Sequence, residues 1–326
     1  MKNIVNDHIR AFQCLVFMGG LFILLVVASV MVNPASGEVY DINAVRMKSS
    51  AVAEEKEDTI DVLFLGNSES YRAFSPLQLY RERGITSYNL GASALRACDC
   101  REILGETLKM QSPKVVMLET DTLFEEGSPY RDPEANLTNK VESKLPLFHY
   151  HTFYKSYLPK SVKAKDMYYK DAGVFKGFLV ETMVRPYEGG DYMSVDAPKA
   201  KIREQNGKTL KDIIRICEEN DASLVLVSSP SATNWNKSKH AAVEKWLDKN
   251  SQSIEYIDLN QKNDELGIDW SKDTMDNGNH MNLEGSKKVM RYVGSYLSEN
   301  FDLTDHRGDE RYSSWDENEK KAELYL

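Results

Sequence analysis

The stretch Ile60-Asp-Val-Leu-Phe-Leu65-Gly66-Asn67-Ser68 decides how the rest of the chain is read. Six residues, apolar but for one aspartate, run straight into glycine and asparagine with no helical spacing between them. A short apolar run bounded by turn formers reads as a buried strand, and the glycine marks a sharp turn at its end. Four runs of the same kind follow, at Thr86 to Leu90, Lys114 to Leu118, Ser223 to Val227 and Ile254 to Leu259. Helical spacing fills the intervals at Pro76 to Arg83, Ala94 to Met110, Gly207 to Asn220 and Ser238 to Lys249, and a closing helix spans Leu283 to about Asn300. Alternating strands and helices predict an α/β fold of three layers, α/β/α, with a five-stranded parallel sheet. Right-handed crossovers then place every strand C-terminus on one edge, where a site is expected.

Upstream of this domain the apolar run Ala11 to Val32 carries one polar side chain of note, Gln13, and 22 residues of helix span roughly 33 Å, enough for a bilayer core. It reads as a retained transmembrane anchor rather than a cleaved leader, because it is too long for a secretory apolar region and no small-x-small site precedes Pro34. Lys2 and Arg10 precede the run while Glu38 and Asp41 follow it, so the remainder is expected on the outer side of the membrane. Residues 1–36 then form the cytoplasmic tip and anchor, 37–58 a polar stalk, 59–300 the folded domain and 301–326 a charged tail, solvated or forming a surface helix. Within the domain, about 125–201 breaks the strand-helix rhythm and is expected to form a largely helical cap over the sheet edge.

Among 326 residues, 41 Lys and Arg stand against 50 Asp and Glu, a net charge of −9. That sign argues against a nucleic-acid partner, which needs clustered cations. The 4 cysteines make no disulfide framework in a chain this long, and Cys98 with Cys100 lacks the further ligands of a zinc site. No metal or cofactor is expected.

Ser68 lies just past the first predicted strand, where its hydroxyl would project from the sheet edge. A serine needs an adjacent base and donors for a developing oxyanion. The base is found far downstream, in Asp273-Thr-Met-Asp276-Asn-Gly-Asn-His280, a Gly/Asn-rich loop before the last helix and expected on the same edge. One nitrogen of His280 can face the serine while the other donates to a carboxylate. Asp276, Asp273 and Asn277 are the candidate partners. Ser70 is read as part of the turn and Ser93 as a helix cap. Arg72 is a candidate for an anionic headgroup, and His149 and His151 lie in the cap.

These blocks resemble those of the SGNH (GDSL-like) hydrolase superfamily: Gly66-Asn-Ser68, Asn89-Leu-Gly91, Leu118-Glu-Thr-Asp121, and Asp276 through His280. The anchor and the strings around Ser68 and His280 look most like cell-envelope relatives in Firmicutes, akin to the D-alanyl transfer protein of teichoic acid operons. The resemblance implies a flavodoxin-like sheet and a triad of Ser68 as nucleophile, His280 as base and Asp276 as orienting acid. It implies oxyanion donors from the N–H groups of Ser68 and Gly91 and from position 121. It also implies acyl-ester chemistry on an envelope glycan or polymer, with a membrane-bound O-acyltransferase as a possible partner. Position 121 departs from the pattern, since asparagine is usual and an ionised Asp121 would repel an oxyanion. A protonated Asp121, or a donor from Asn67 or the cap, would resolve this, and Asp121→Asn is expected to raise turnover.

Overall fold

The computed structural model describes residues 2–32, 52, 55–125, 173–195 and 197–323. The chain divides into two compact units, one of Met1–Tyr40 with Gly127–Tyr168 and one of Asp41–Glu126 with Tyr169–Leu326. In the first, helix α1 (Lys2–Val32) contains a segment, His8–Ser29, long and apolar enough to cross a membrane. Its large side chains are exposed, Leu15 at 72% and Phe17 at 68%.

The second unit is built on five parallel strands: β1 (Val62–Leu65), β2 (Ser87–Asn89), β3 (Val115–Glu119), β4 (Ser223–Ser228) and β5 (Glu255–Asp258). Their order is β2-β1-β3-β4-β5. This is the doubly wound order in which the chain reverses direction beside β1, leaving a crevice at the strand C-termini. Register is continuous, with Leu63 opposite both Tyr88 and Val116, and Val116 opposite Leu224.

Side chains alternate between the two faces, and each face has its own core. Leu63, Leu65, Val116, Leu118, Leu224 and Leu226 pack with α4 (Ala97–Thr107), α5 (Glu204–Glu219) and α6 (Lys237–Asn250). Val62, Phe64, Val115, Met117, Val225 and Val227 pack with α8 (Leu283–Asn300), through Val289, Met290, Val293 and Leu297. Both faces are covered, which is why the strands read as unbroken apolar runs. Each fully buried side chain contributes about 1.5–3 kcal/mol.

Short helices complete the unit: α2 (Ser68–Ala73), α3 (Pro76–Arg83), α7 (Asn263–Leu266) and α9 (Ser313–Ala322). Helix α3 starts with proline at its first turn and ends at Gly84 with φ 71°, the ordinary start and stop chemistry. Most of the expected cap, residues 126–172, lies outside the described residues, as do His149 and His151. The described stretch 173–195 runs as turns and extended chain.

Three local expectations are adjusted. Residues 68–73 are a helix rather than a turn, with Ser70 buried inside it, because six residues are too few to show a period. The N-cap position of α4 falls on Arg96 rather than Ser93, and the Arg96 N–H and guanidinium both donate to the Asp99 carboxylate. The tail is more than a solvated extension, since Trp315 in α9 is fully buried.

Candidate active site

At the end of β1 the backbone passes so close to its neighbours that a Cβ on Gly66 would lie 2.6 Å from Cβ of Glu119 and 2.7 Å from Cβ of Ser70. Only glycine fits there. Asn67 then caps α2, its Oδ1 accepting the Glu69 N–H at 3.2 Å and its Nδ2 donating to Asp121 Oδ2 at 2.9 Å. Ser68 is the first residue of α2, partly exposed at the sheet edge. Its N–H faces no acceptor among the described residues, as expected for the first turn of a helix. Its Oγ donates to Glu69 Oε2 at 3.2 Å.

His280 arrives on the same edge in a tight loop closed by the bridge between Thr274 and Met281. Asn277 and Gly278 take positive φ, 64° and 96°, which turns the chain back within four residues. Asp276 is the carboxylate against the imidazole: its Oδ2 lies 2.5 Å from Nδ1, and its Oδ1 accepts the His280 backbone N–H at 2.7 Å. Burial works against the Asp276 carboxylate, yet hydrogen bonds from His280 outweigh it and hold the group below the usual carboxylate range. Asp273 serves elsewhere, bonded to Lys288 at 2.5 Å, and Asn277 donates to the Pro186 carbonyl. The His280 Nε2 is buried with no hydrogen-bond partner among the described residues.

Between serine and histidine stands Glu69, whose Oε1 is 4.0 Å from His280 Nε2. Ser68 and His280 thus face one carboxylate and make no direct hydrogen bond to each other. Asn234, in the loop after β4, donates one Nδ2 hydrogen to Glu69 Oε1 at 2.7 Å and one to Asp121 Oδ2 at 2.8 Å.

The remaining two expected residues are engaged differently. Asp121 is buried, and Lys239 Nζ lies 2.6 Å from its Oδ1. With Asn67 and Asn234 on Oδ2, every side-chain contact of Asp121 is one in which it accepts. The Gly91 N–H donates to Asn89 Oδ1 at 2.9 Å, so it too is occupied. Asn89 in turn donates to the carbonyls of Ser70 and Phe74 at 3.0 and 2.9 Å, tying β2 to α2. Burial, with Asp121 alongside, raises the carboxyls of Glu69, Glu119 and Glu125.

Sequence reading missed Glu69, Asn234 and Lys239, and also the irregular strap 179–187. The strap's backbone bonds link Leu179 to Tyr71, Glu181 to Leu283, Arg185 to Thr274 and Asn277, and Tyr187 to Trp270. It joins the serine helix to the histidine loop. Arg72, one turn beyond Ser68, lies over the Tyr71 ring at 5.5 Å and has a buried Nη1 without a partner.

No family model matches the chain, and no curated protein matches it. Among solved structures it is similar to a presumed acylhydrolase from Bacteroides fragilis, at 10% identity and a TM-score of 0.42, covering 80% of this chain and 99% of that one. It is also similar to a protein from Streptococcus pneumonia described as a presumed platelet activating factor, at 12% identity and a TM-score of 0.41, covering 78% and 90%. Likeness at this level carries no functional argument.

Proposed function

We propose that this protein is a serine esterase or O-acyltransferase acting outside the cytoplasmic membrane, held there by α1, on acyl esters of a cell-envelope glycan or teichoic-acid-like polymer. The observation that carries the reading is the His280 imidazole, fixed through Nδ1 by Asp276 at 2.5 Å while Nε2 stays unpartnered on the edge where Ser68 opens α2. That is the orientation a general base needs. Ser68 Oγ exchanges its Glu69 contact for Nε2, attacks the acyl carbon and gives its proton to His280, while Asp276 balances the imidazolium. The developing oxyanion would be met by the open Ser68 N–H at the start of a helix, a favourable place for negative charge. The bond from the acyl carbon to the ester's alcohol oxygen breaks, and that alcohol leaves with the proton from His280. Water or a sugar hydroxyl then attacks the acyl-Ser68 carbon, giving its proton to His280, which passes it to Ser68 Oγ as the serine is released.

The test is to label the purified protein with a fluorophosphonate and to measure p-nitrophenyl acetate turnover beside Ser68→Ala. Loss of both in the variant is expected, and equal behaviour of the two proteins would remove Ser68 from the chemistry.

A second reading is a non-catalytic partner of a membrane-bound O-acyltransferase. It is favoured by the occupied Gly91 N–H and the acceptor role of Asp121, which leave fewer oxyanion donors than an efficient acyl-transfer site uses. A wild-type protein silent to the probe would support it.

A further inference from the structure

Glu69 is 4% exposed, yet it carries no ion pair to a lysine or arginine among the described residues; His280, at 4.0 Å, is the one group facing it that can become positively charged. A buried carboxylate is costly unless paired, so its charge is fully partnered only when His280 holds a second proton. The groups that face it come from four elements. Ser68 Oγ approaches from its own helix, Asn234 from the loop after β4, His280 from the loop before α8, and Asp121 from the turn after β3. Glu119 lies behind Asp121, Lys239 on the far oxygen of Asp121, and Asp276 on the far nitrogen of His280.

We propose that Glu69 is a positioning residue of the reaction, holding the Ser68 hydroxyl in the resting site and favouring the imidazolium that forms when His280 takes the serine proton. The inference rests on the Ser68 and His280 chemistry proposed above. Glu69 exchanges no atoms: the proton moves from Ser68 Oγ to His280 Nε2, the Oγ bond to the acyl carbon forms, and the carboxylate stays ionised throughout. It supplies from the serine side what Asp276 supplies from the other, a negative charge beside the ring. Loss of that charge, 4.0 Å from Nε2, is therefore expected to change the pH dependence of the rate as well as its size.

The experiment is the rate of fluorophosphonate labelling of the full-length protein in detergent, measured against pH for wild type, Glu69→Gln and Glu69→Asp, with Ser68→Ala as the blank. Glutamine keeps the shape and an acceptor for Ser68 but removes the charge. Its acid limb is expected to move down by about one pH unit, and its plateau to fall by about tenfold. Aspartate keeps the charge with a shorter reach, so its limb should stay within about half a unit of wild type while its plateau falls. A glutamine variant with the wild-type limb would overturn the proposal while leaving Ser68 as nucleophile. Silence of the wild type would overturn both readings together. Circular dichroism checks folding, and if glutamine prevents it, an aspartate variant with an undiminished plateau overturns the proposal by itself.

Discussion

At the scale of single residues, the cluster behind Ser68 has a cost that pH should reveal. Glu119 is 1% exposed, and burial followed by its neighbours Asp121 and Glu69 pushes its carboxyl well above the usual range. Below about pH 4.5 the group is protonated in both folded and unfolded chains and is neutral in its effect. As pH rises the unfolded chain ionises first, so stability is lost until the folded-state value is passed. Glu119→Gln should therefore raise the urea midpoint at pH 7.5 and leave it unchanged near pH 4; equal gains at both would assign the effect to packing instead. Asp121 is held by a cation instead. From sequence, Asp121→Asn is expected to restore an oxyanion donor, but Lys239 at 2.6 Å makes the carboxylate half of a largely buried ion pair. Removing it strands the ammonium, and a loss of about 2–4 kcal/mol with no gain in turnover is now expected from urea melts and ester assays. A faster variant of wild-type stability would return Asp121 to the oxyanion position. Asp276 and His280 were legible because they lie four residues apart in one loop. Asn234 and Glu69, bonded across 165 positions, left no local trace.

At the scale of elements, periodicity located all five strands and placed α3 and α8 at their observed bounds, because both sheet faces are buried and the helices present one apolar stripe. Where an element is anchored by one side chain, the pattern fails. Helix α9 is so rich in charge that it reads as solvated, yet Trp315 is fully buried, with Lys176 Nζ 4.4 Å above its ring and the Tyr80 ring at 5.7 Å. Tyr80 also donates to Asp316 at 2.8 Å, and Arg81 pairs with Glu319 at 2.6 Å. The stretch leading to α9 is pinned as well, by His306 Nε2 at 2.8 Å from Asp61 Oδ2. The partly exposed Arg81–Glu319 pair contributes little, and the fully buried indole is the main anchor of α9. Trp315→Ala should cost about 3–5 kcal/mol in urea unfolding and open the chain after Phe301 to protease. A change below about 0.5 kcal/mol would mean that α9 folds back without contributing to the unit.

At the scale of the whole molecule, the two compact units differ in what surrounds their apolar side chains. Among the described residues, both cores of the sheet unit are assembled from Val52 onward. In α1 the large apolar side chains are exposed, Phe12 at 67%, Phe17 at 68% and Leu24 at 64%, a surface that water would not tolerate and a bilayer would. If α1 is the proposed anchor, deleting Met1 to Val32 should convert a detergent-dependent protein into a soluble one. It should retain its circular dichroism, a urea midpoint within about 0.5 kcal/mol of the parent, and the same fluorophosphonate labelling of Ser68. The comparison is made on the parent in mild detergent and the truncated chain in the same buffer, by size-exclusion chromatography and denaturation. If the truncated chain aggregates with loss of secondary structure, α1 belongs to the folded unit rather than standing apart from it. If it folds but no longer labels, α1 acts on the site, and the proposed separation of membrane attachment from chemistry would be overturned.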